Sequence, residues 1–200
     1  MRQRFIAVTT MVLIFAGFHA YAAQRAEAQA TFEYHLLATN KTSTMEEELN
    51  EASEAGFRFE TVMGGDTAFG GDEVVVIMSR GTSEDTAGRY QYKLLATQRT
   101  STMEKEIQEA GDAGYVYVGQ TVFSSFFGGD EVTVILERDR DEPDSSRYEY
   151  LLLATSRTST MQEELQESAA NGFTLVGMTV GKTAFGGKEV VAILRRSEAE

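Results

Sequence analysis

The chain has no cysteine, no tryptophan, one proline and only two histidines in 200 residues. Without cysteine there is no disulfide framework and no thiolate nucleophile, so stability has to come from packing. One of the histidines, His19, lies near the N-terminus, and the other, His35, is replaced by Lys93 and Leu151 at the matching positions further along. A histidine-based catalytic set carried by every unit is therefore excluded. Basic residues are also scarce. The formal charge is −13, and removal of residues 1–22, which carry Arg2 and Arg4 and no acid, would leave −15. Such a surface repels nucleic acid and anionic lipid and favours solubility or cationic partners.

Long apolar runs are absent except at the start. MRQR is followed by a 14-residue apolar stretch, Phe5 to Phe18, and then by Ala20-Tyr-Ala22. A basic segment, a short apolar segment and an A-x-A site predict a secretory signal peptide over 1–22, with cleavage as late as residue 30 an alternative at AEAQA. A spanning helix needs roughly 20 apolar residues. The expectation is a secreted or periplasmic protein with no stable membrane anchor once the signal is removed.

What is present is repetition. Tyr34-His-Leu-Leu-Ala-Thr39, Tyr92-Lys-Leu-Leu-Ala-Thr97 and Tyr150-Leu-Leu-Leu-Ala-Thr155 each open a unit, and Met45, Met103 and Met161 recur at a spacing of 58 residues. A fixed period without insertions marks one folding unit in tandem. The units span 31–80, 89–138 and 147–197, joined by polar linkers at 81–88 and 139–146. A lone unit of about 50 residues is marginal by surface-to-volume scaling, so packing between units is a physical reason for repeating it.

Each unit reads β-α-β-β. The first strand alternates with period two, with Phe32/Tyr34/Leu36/Ala38, Tyr90/Tyr92/Leu94/Ala96 and Tyr148/Tyr150/Leu152/Ala154 predicted as its buried face. A helix follows, with Ser43, Ser101 and Ser159 expected to cap it in boxes with Glu46, Glu104 and Gln162. Its apolar stripe is Met45/Leu49/Ala52, Met103/Ile107/Ala110 and Met161/Leu165/Ser168. Gly56, Gly114 and Gly172 are predicted to end it. Two strands remain, about 57–63, 115–123 and 173–180, then 73–78, 131–136 and 189–194. The last strand of each unit is apolar on both sides, which places it centrally. The fold class is therefore α+β. Each unit is a mainly antiparallel three-stranded sheet of order 1-3-2 with one helix on one face, and the second face needs a cover that neighbouring units could supply.

The residues Tyr90-Gln-Tyr-Lys93, Gly114-Tyr115 and Glu137-Arg138, with their equivalents, resemble a small bacterial family. It is a domain of unknown function with a YEYK-like first strand, a GWEL-like helix exit and a last strand ending in KR. The resemblance covers each repeat. This chain departs from it by using Phe or Tyr where the family favours Trp, and by its TSTM and FGG segments. The resemblance implies the fold and no particular activity.

Few residue sets point to chemistry. Glu48/Glu51, Glu106/Glu109 and Glu164/Glu167 are i, i+3 pairs expected on a solvated helix face, which does not give the differing environments that acid–base work requires. Asp72-Glu73 and Asp130-Glu131 become Lys188-Glu189 in the third copy, which argues against three equivalent metal sites, and no metal or cofactor is expected. The sharpest candidate is the strand-to-helix junction. Lys41-Thr42-Ser43, Arg99-Thr100-Ser101 and Arg157-Thr158-Ser159 put a cation and hydroxyls beside free helix N–H groups, a setting for a small anionic or glycan ligand. The second is the FGG loop, where Phe69, Phe127 or Phe185 could stack on a sugar ring. Packing of these phenylalanines into the structure is the plainer alternative. The functional expectation is an exported, non-enzymatic interaction or ligand-binding module, its partner a protein or such a ligand. The alternatives are a hydrolase acting at a cleft between repeats, or a structural envelope protein that forms homo-oligomers.

Overall fold

The computed structural model describes residues 32–67, 71–82, 85–97, 99–125, 129–142, 147–182 and 188–197. The first unit consists of β1 (Phe32–Thr39), α1 (Thr42–Glu54), β2 (Arg58–Thr67) and β3 (Gly71–Gly81). The second consists of β4 (Tyr90–Thr97), α2 (Thr100–Asp112), β5 (Val116–Ser125) and β6 (Gly129–Asp139). The third consists of β7 (Tyr148–Thr155), α3 (Thr158–Ala170), β8 (Thr174–Lys182) and β9 (Lys188–Ser197). The sheets have the orders β1-β3-β2, β4-β6-β5 and β7-β9-β8, with every pairing antiparallel. The expected 1-3-2 order and α+β class are observed. The second and third strands run longer than their apolar cores suggest.

The first two helices are each packed on both sides. Met45, Leu49 and Ala52 of α1 share one core with Leu37, Val74, Val76 and Met78 of their own sheet, and with Tyr90, Tyr92 and Ile135 of the next. Met103, Ile107 and Ala110 of α2 repeat this with Leu95, Val132, Val134 and Leu136, and with Tyr150, Leu152, Val191 and Ile193 beyond. The described units therefore form an alternating stack of sheet, helix, sheet, helix, sheet, helix. The linkers reinforce it. Gly88 N donates to Ser53 O at 3.0 Å, and Arg140 N donates to Arg89 O at 2.9 Å.

The helix ends follow the expected glycines. Gly56, Gly114 and Gly172 have φ of 87°, 83° and 85°, and Phe57, Tyr115 and Phe173 each donate back five residues to Ala52, Ala110 and Ser168. This is the Schellman arrangement that only glycine adopts without strain. The starts differ from expectation. The N-cap positions are Lys41, Arg99 and Arg157, none with a side-chain cap bond, so Ser43, Ser101 and Ser159 lie two residues inside the cap. The hydroxyls of Thr39, Thr97 and Thr155 instead accept from the N–H two residues on, at 3.2, 3.4 and 3.1 Å. These short turns at the strand ends set the chain's entry into each helix.

The first strand also differs. Ala38, Ala96 and Ala154 are exposed in all three units. Phe32, Tyr34 and Leu36 are exposed as well, at 57, 70 and 60 %. The alternating stripe faces the preceding helix, not the strand's own, and the first unit has no preceding helix among the described residues.

Candidate interaction surface

The joint between units is built from backbone groups on the outer edge of the first strand. In the first joint, the Asn50 amide receives Tyr92 N at 2.9 Å and donates to Tyr92 O at 3.0 Å. One turn earlier on α1, Glu46 Oε2 accepts from Leu94 N at 2.8 Å, and one turn later Ser53 Oγ donates to Tyr90 O at 2.6 Å. Edge-strand groups that would otherwise lie open are thus paired by helix side chains. The Glu46 carboxylate, expected to close a capping box, is used across the joint instead. In the second joint Gln108 replaces Asn50. Its Oε1 accepts from Tyr150 N at 2.8 Å and its Nε2 reaches Tyr148 O at 3.4 Å. Gly111 stands where Ser53 was, because a Cβ there would run into Tyr148 O and the Tyr150 ring.

The tyrosine in the middle of the first strand reaches through the joint. Tyr92 Oη accepts from Phe59 N at 2.9 Å and donates to Glu137 Oε2 at 2.8 Å. Burial, and then the Glu137 charge, push its phenol well above the usual range. Glu137 is only 3 % exposed. Its Oε1 also takes Arg58 Nη2 at 2.8 Å, and this contact keeps the Arg58 guanidinium firmly protonated. Tyr150 Oη likewise accepts from Tyr117 N at 2.7 Å. Burial raises the Tyr150 phenol too.

A knob and notch complete each joint. β2, β5 and β8 share a register shift after Phe59, Tyr117 and Leu175, a bulge that turns the next position toward the neighbour. A Cβ on Gly119 would lie 2.6 Å from Phe59 Cζ, and one on Gly177 would lie 2.5 Å from Tyr117 Oη. The absent side chains are what admit the rings.

The stack therefore has two open ends. At one end lie Phe32, Tyr34, Leu36 and Met63, all exposed. At the other are Gln162, Gln166 and Ala169, which correspond to Glu46, Asn50 and Ser53 and are exposed on α3. Beside them Leu175, Met178 and Val180 are also exposed. Tyr34 is 70 % exposed where Tyr92 and Tyr150 are 2 % and 5 % exposed.

The other candidate residues are placed as follows. Lys41, Ser43, Arg99, Ser101, Arg157, Thr158 and Ser159 are exposed, and Thr42 and Thr100 are half-buried. The three junctions are not brought together into one site. At the second, Thr100 Oγ1 donates to Glu189 Oε1 at 2.7 Å, so a carboxylate of the chain already lies at that helix start. Phe69, Phe127 and Phe185 lie outside the described residues. Glu51, Glu109 and Glu167 are exposed as expected, but Glu48, Glu106 and Glu164 are half-buried. Glu48 sits in the angle between α1 and β1. There His35, Glu48, Glu51 and Phe57 line an open groove of about 500 Å³, and the His35 and Phe57 rings lie 5.2 Å apart. Among the described residues no helix is long and apolar enough to cross a membrane.

No family model, no curated protein and no solved structure matches the chain. The likeness to the YEYK-type family rests on the quoted residues alone. The joint residues Asn50 and Gln108, and Gln166 at the matching position of α3, are not among the candidates read from sequence. The available signal was an amide in every copy, 16 residues after a tyrosine that is also in every copy.

Proposed function

We propose that this chain is an exported, non-enzymatic interaction module that works through the uncovered ends of its stack. The observation that carries the reading is Tyr34. A residue of the same type in the same strand position is enclosed in both following units and open in the first. Around it Phe32 and Leu36 extend the exposed apolar face, of the kind that marks an interaction site on a soluble protein. The hydrolase alternative needs an available carboxylate between repeats. Glu137, the buried carboxylate of the first joint, has both oxygens engaged by Arg58 and Tyr92. The signal-like segment supports export, and the acidic surface supports solubility and keeps nucleic acid away.

The absence of cysteine makes a direct test available. Leu36→Cys introduces a single thiol into the open face, and Lys105→Cys places one on an exposed part of α2 as a control. Maleimide labelling is compared between the compartment to which the protein is exported and dilute purified protein. Labelling at position 36 slowed at least tenfold in the compartment, with position 105 unchanged, supports the reading. Equal rates at both positions in both settings sink it. Recovery of the chain only in the cytoplasm removes the export part.

A further inference from the structure

The two open ends are the two halves of a joint that the chain already makes twice. We propose that the partner of the exposed β1 face is the α3–β8 end of a second copy of this chain, docked as α1 docks on β4 and α2 on β7. This rests on the interaction reading above and names the partner.

Three observations carry the inference. The first is polar. α3 keeps Gln166 at the amide position that holds Tyr92 and Tyr150 in the inner joints. It also keeps Gln162 at the position from which Glu46 receives Leu94 N. These side chains are exposed, and the N–H groups of Tyr34 and Leu36 are the matching donors on β1. The amide oxygen of Gln162 accepts an N–H as the Glu46 carboxylate does.

The second is steric. In the inner joints a ring tip enters a glycine notch, Phe59 over Gly119 and Tyr117 over Gly177. At the open ends both members change. Leu175 stands where the rings were, and Thr61 stands where the glycines were. Leucine lacks the outer ring atoms that make the close approach, and threonine fills the notch that only those atoms require. The knob has shrunk where the hole is filled.

The third is hydrophobic. Positions that are buried or half-buried in the inner joints carry apolar side chains at both ends, with Phe32, Tyr34, Leu36 and Met63 facing one way and Leu175 and Met178 the other. A contact between the two ends is heterologous, so each copy would use one end for each neighbour, and growth is limited only by geometry or supply. The net negative charge, −15 once residues 1–22 are removed, opposes it, so added salt should strengthen association.

The test uses the whole chain as recovered after export, with one variant blocked at each end. Tyr34→Asp blocks the β1 end and Gln166→Arg blocks the α3 end. Both positions are exposed, and circular dichroism checks that each variant folds. Sedimentation equilibrium at several concentrations and at two salt levels reads the mass. The expected result is a wild-type average mass that rises with concentration and rises further with salt. Each variant alone is monomeric, with association weakened at least tenfold, and an equimolar mixture gives a species of twice the monomer mass and no larger. Four outcomes overturn the proposal. One is a monomeric wild type at all concentrations. Another is association that the Gln166→Arg variant retains in full, which means β1 faces meet each other. The third is association untouched by either variant, and the fourth is a mixture that remains monomeric. A monomeric wild type still leaves the labelling test of position 36 to decide whether a different partner covers that face.

Discussion

Replacing the central tyrosine of the first strand by phenylalanine in each repeat should have three different costs. Tyr92 Oη sits between a backbone N–H and a buried carboxylate, at 2.9 and 2.8 Å. Tyr92→Phe leaves Phe59 N without an acceptor and takes one donor from Glu137. An unsatisfied buried group costs about 1–3 kcal/mol, and because Glu137 keeps its bonds from Arg58 the total is about 2–4 kcal/mol. Tyr150 Oη has a good bond from Tyr117 N at 2.7 Å and a long one to Tyr115 O at 3.3 Å. Tyr150→Phe should cost about 1–3 kcal/mol. Tyr34 is 70 % exposed, and Tyr34→Phe should stay within about 0.5 kcal/mol, as exposed substitutions do. With a urea slope of about 2 kcal/mol per molar, Tyr92→Phe lowers the unfolding midpoint by about 1–2 M and Tyr34→Phe by less than about 0.3 M. The measurement belongs at low protein concentration, where copies do not associate. Equal losses at positions 34 and 92 would mean that β1 is covered within the monomer, and a neutral Tyr92→Phe would mean that the joint is not formed. Either result refutes the stacked arrangement.

The glycine notches make a second set. Gly119→Ala and Gly177→Ala each set a methyl 2.6 and 2.5 Å from a neighbouring ring tip, and thermal or urea unfolding should show losses of about 1–3 kcal/mol, typical of overpacking. Gly172→Ala, at φ 85° with open space around it, should lose only about 1–2 kcal/mol, from the left-handed backbone alone. Alkaline pH supplies a third. Burial, and then the Tyr150 phenol, push Tyr117 from 10.0 up to about 12. A phenol raised on folding contributes stability that is complete below pH 10 and is lost as the pH climbs through 12. Absorbance at tyrosinate wavelengths should show Tyr117→Phe removing a late-titrating group and flattening the loss of stability across that window.

The repeat, the strand order and the helix ends were legible in the sequence because each is local or periodic. Gly56, Gly114 and Gly172 fall where a left-handed residue is required, and the doubly apolar third strands could only be central. The first helix start departs from its local pattern for a physical reason. Ser43 and Glu46 have capping-box spacing, but Glu46 finds a better donor in Leu94 N of the next repeat, and no pattern within one repeat can reveal that competitor. The alternating stripe of the first strand was correctly seen as apolar. Whether it is buried depends on which repeat precedes it, so Tyr34 and Tyr92 read alike in sequence and have opposite environments. The two joints are written in single amides, Asn50 and Gln108, which carry no hydrophobic period and look like surface residues.

Native-state hydrogen exchange along the three first strands reads the joints themselves, because they are made by backbone groups. In the stacked arrangement the amides of Tyr92, Leu94 and Tyr150 should exchange slowly, held by Asn50, Glu46 and Gln108. In dilute protein the corresponding amides of Tyr34 and Leu36 should exchange at least a hundredfold faster. Protection of Tyr34 and Leu36 equal to that of Tyr92 and Leu94 under those conditions, or fast exchange at all five, would contradict it.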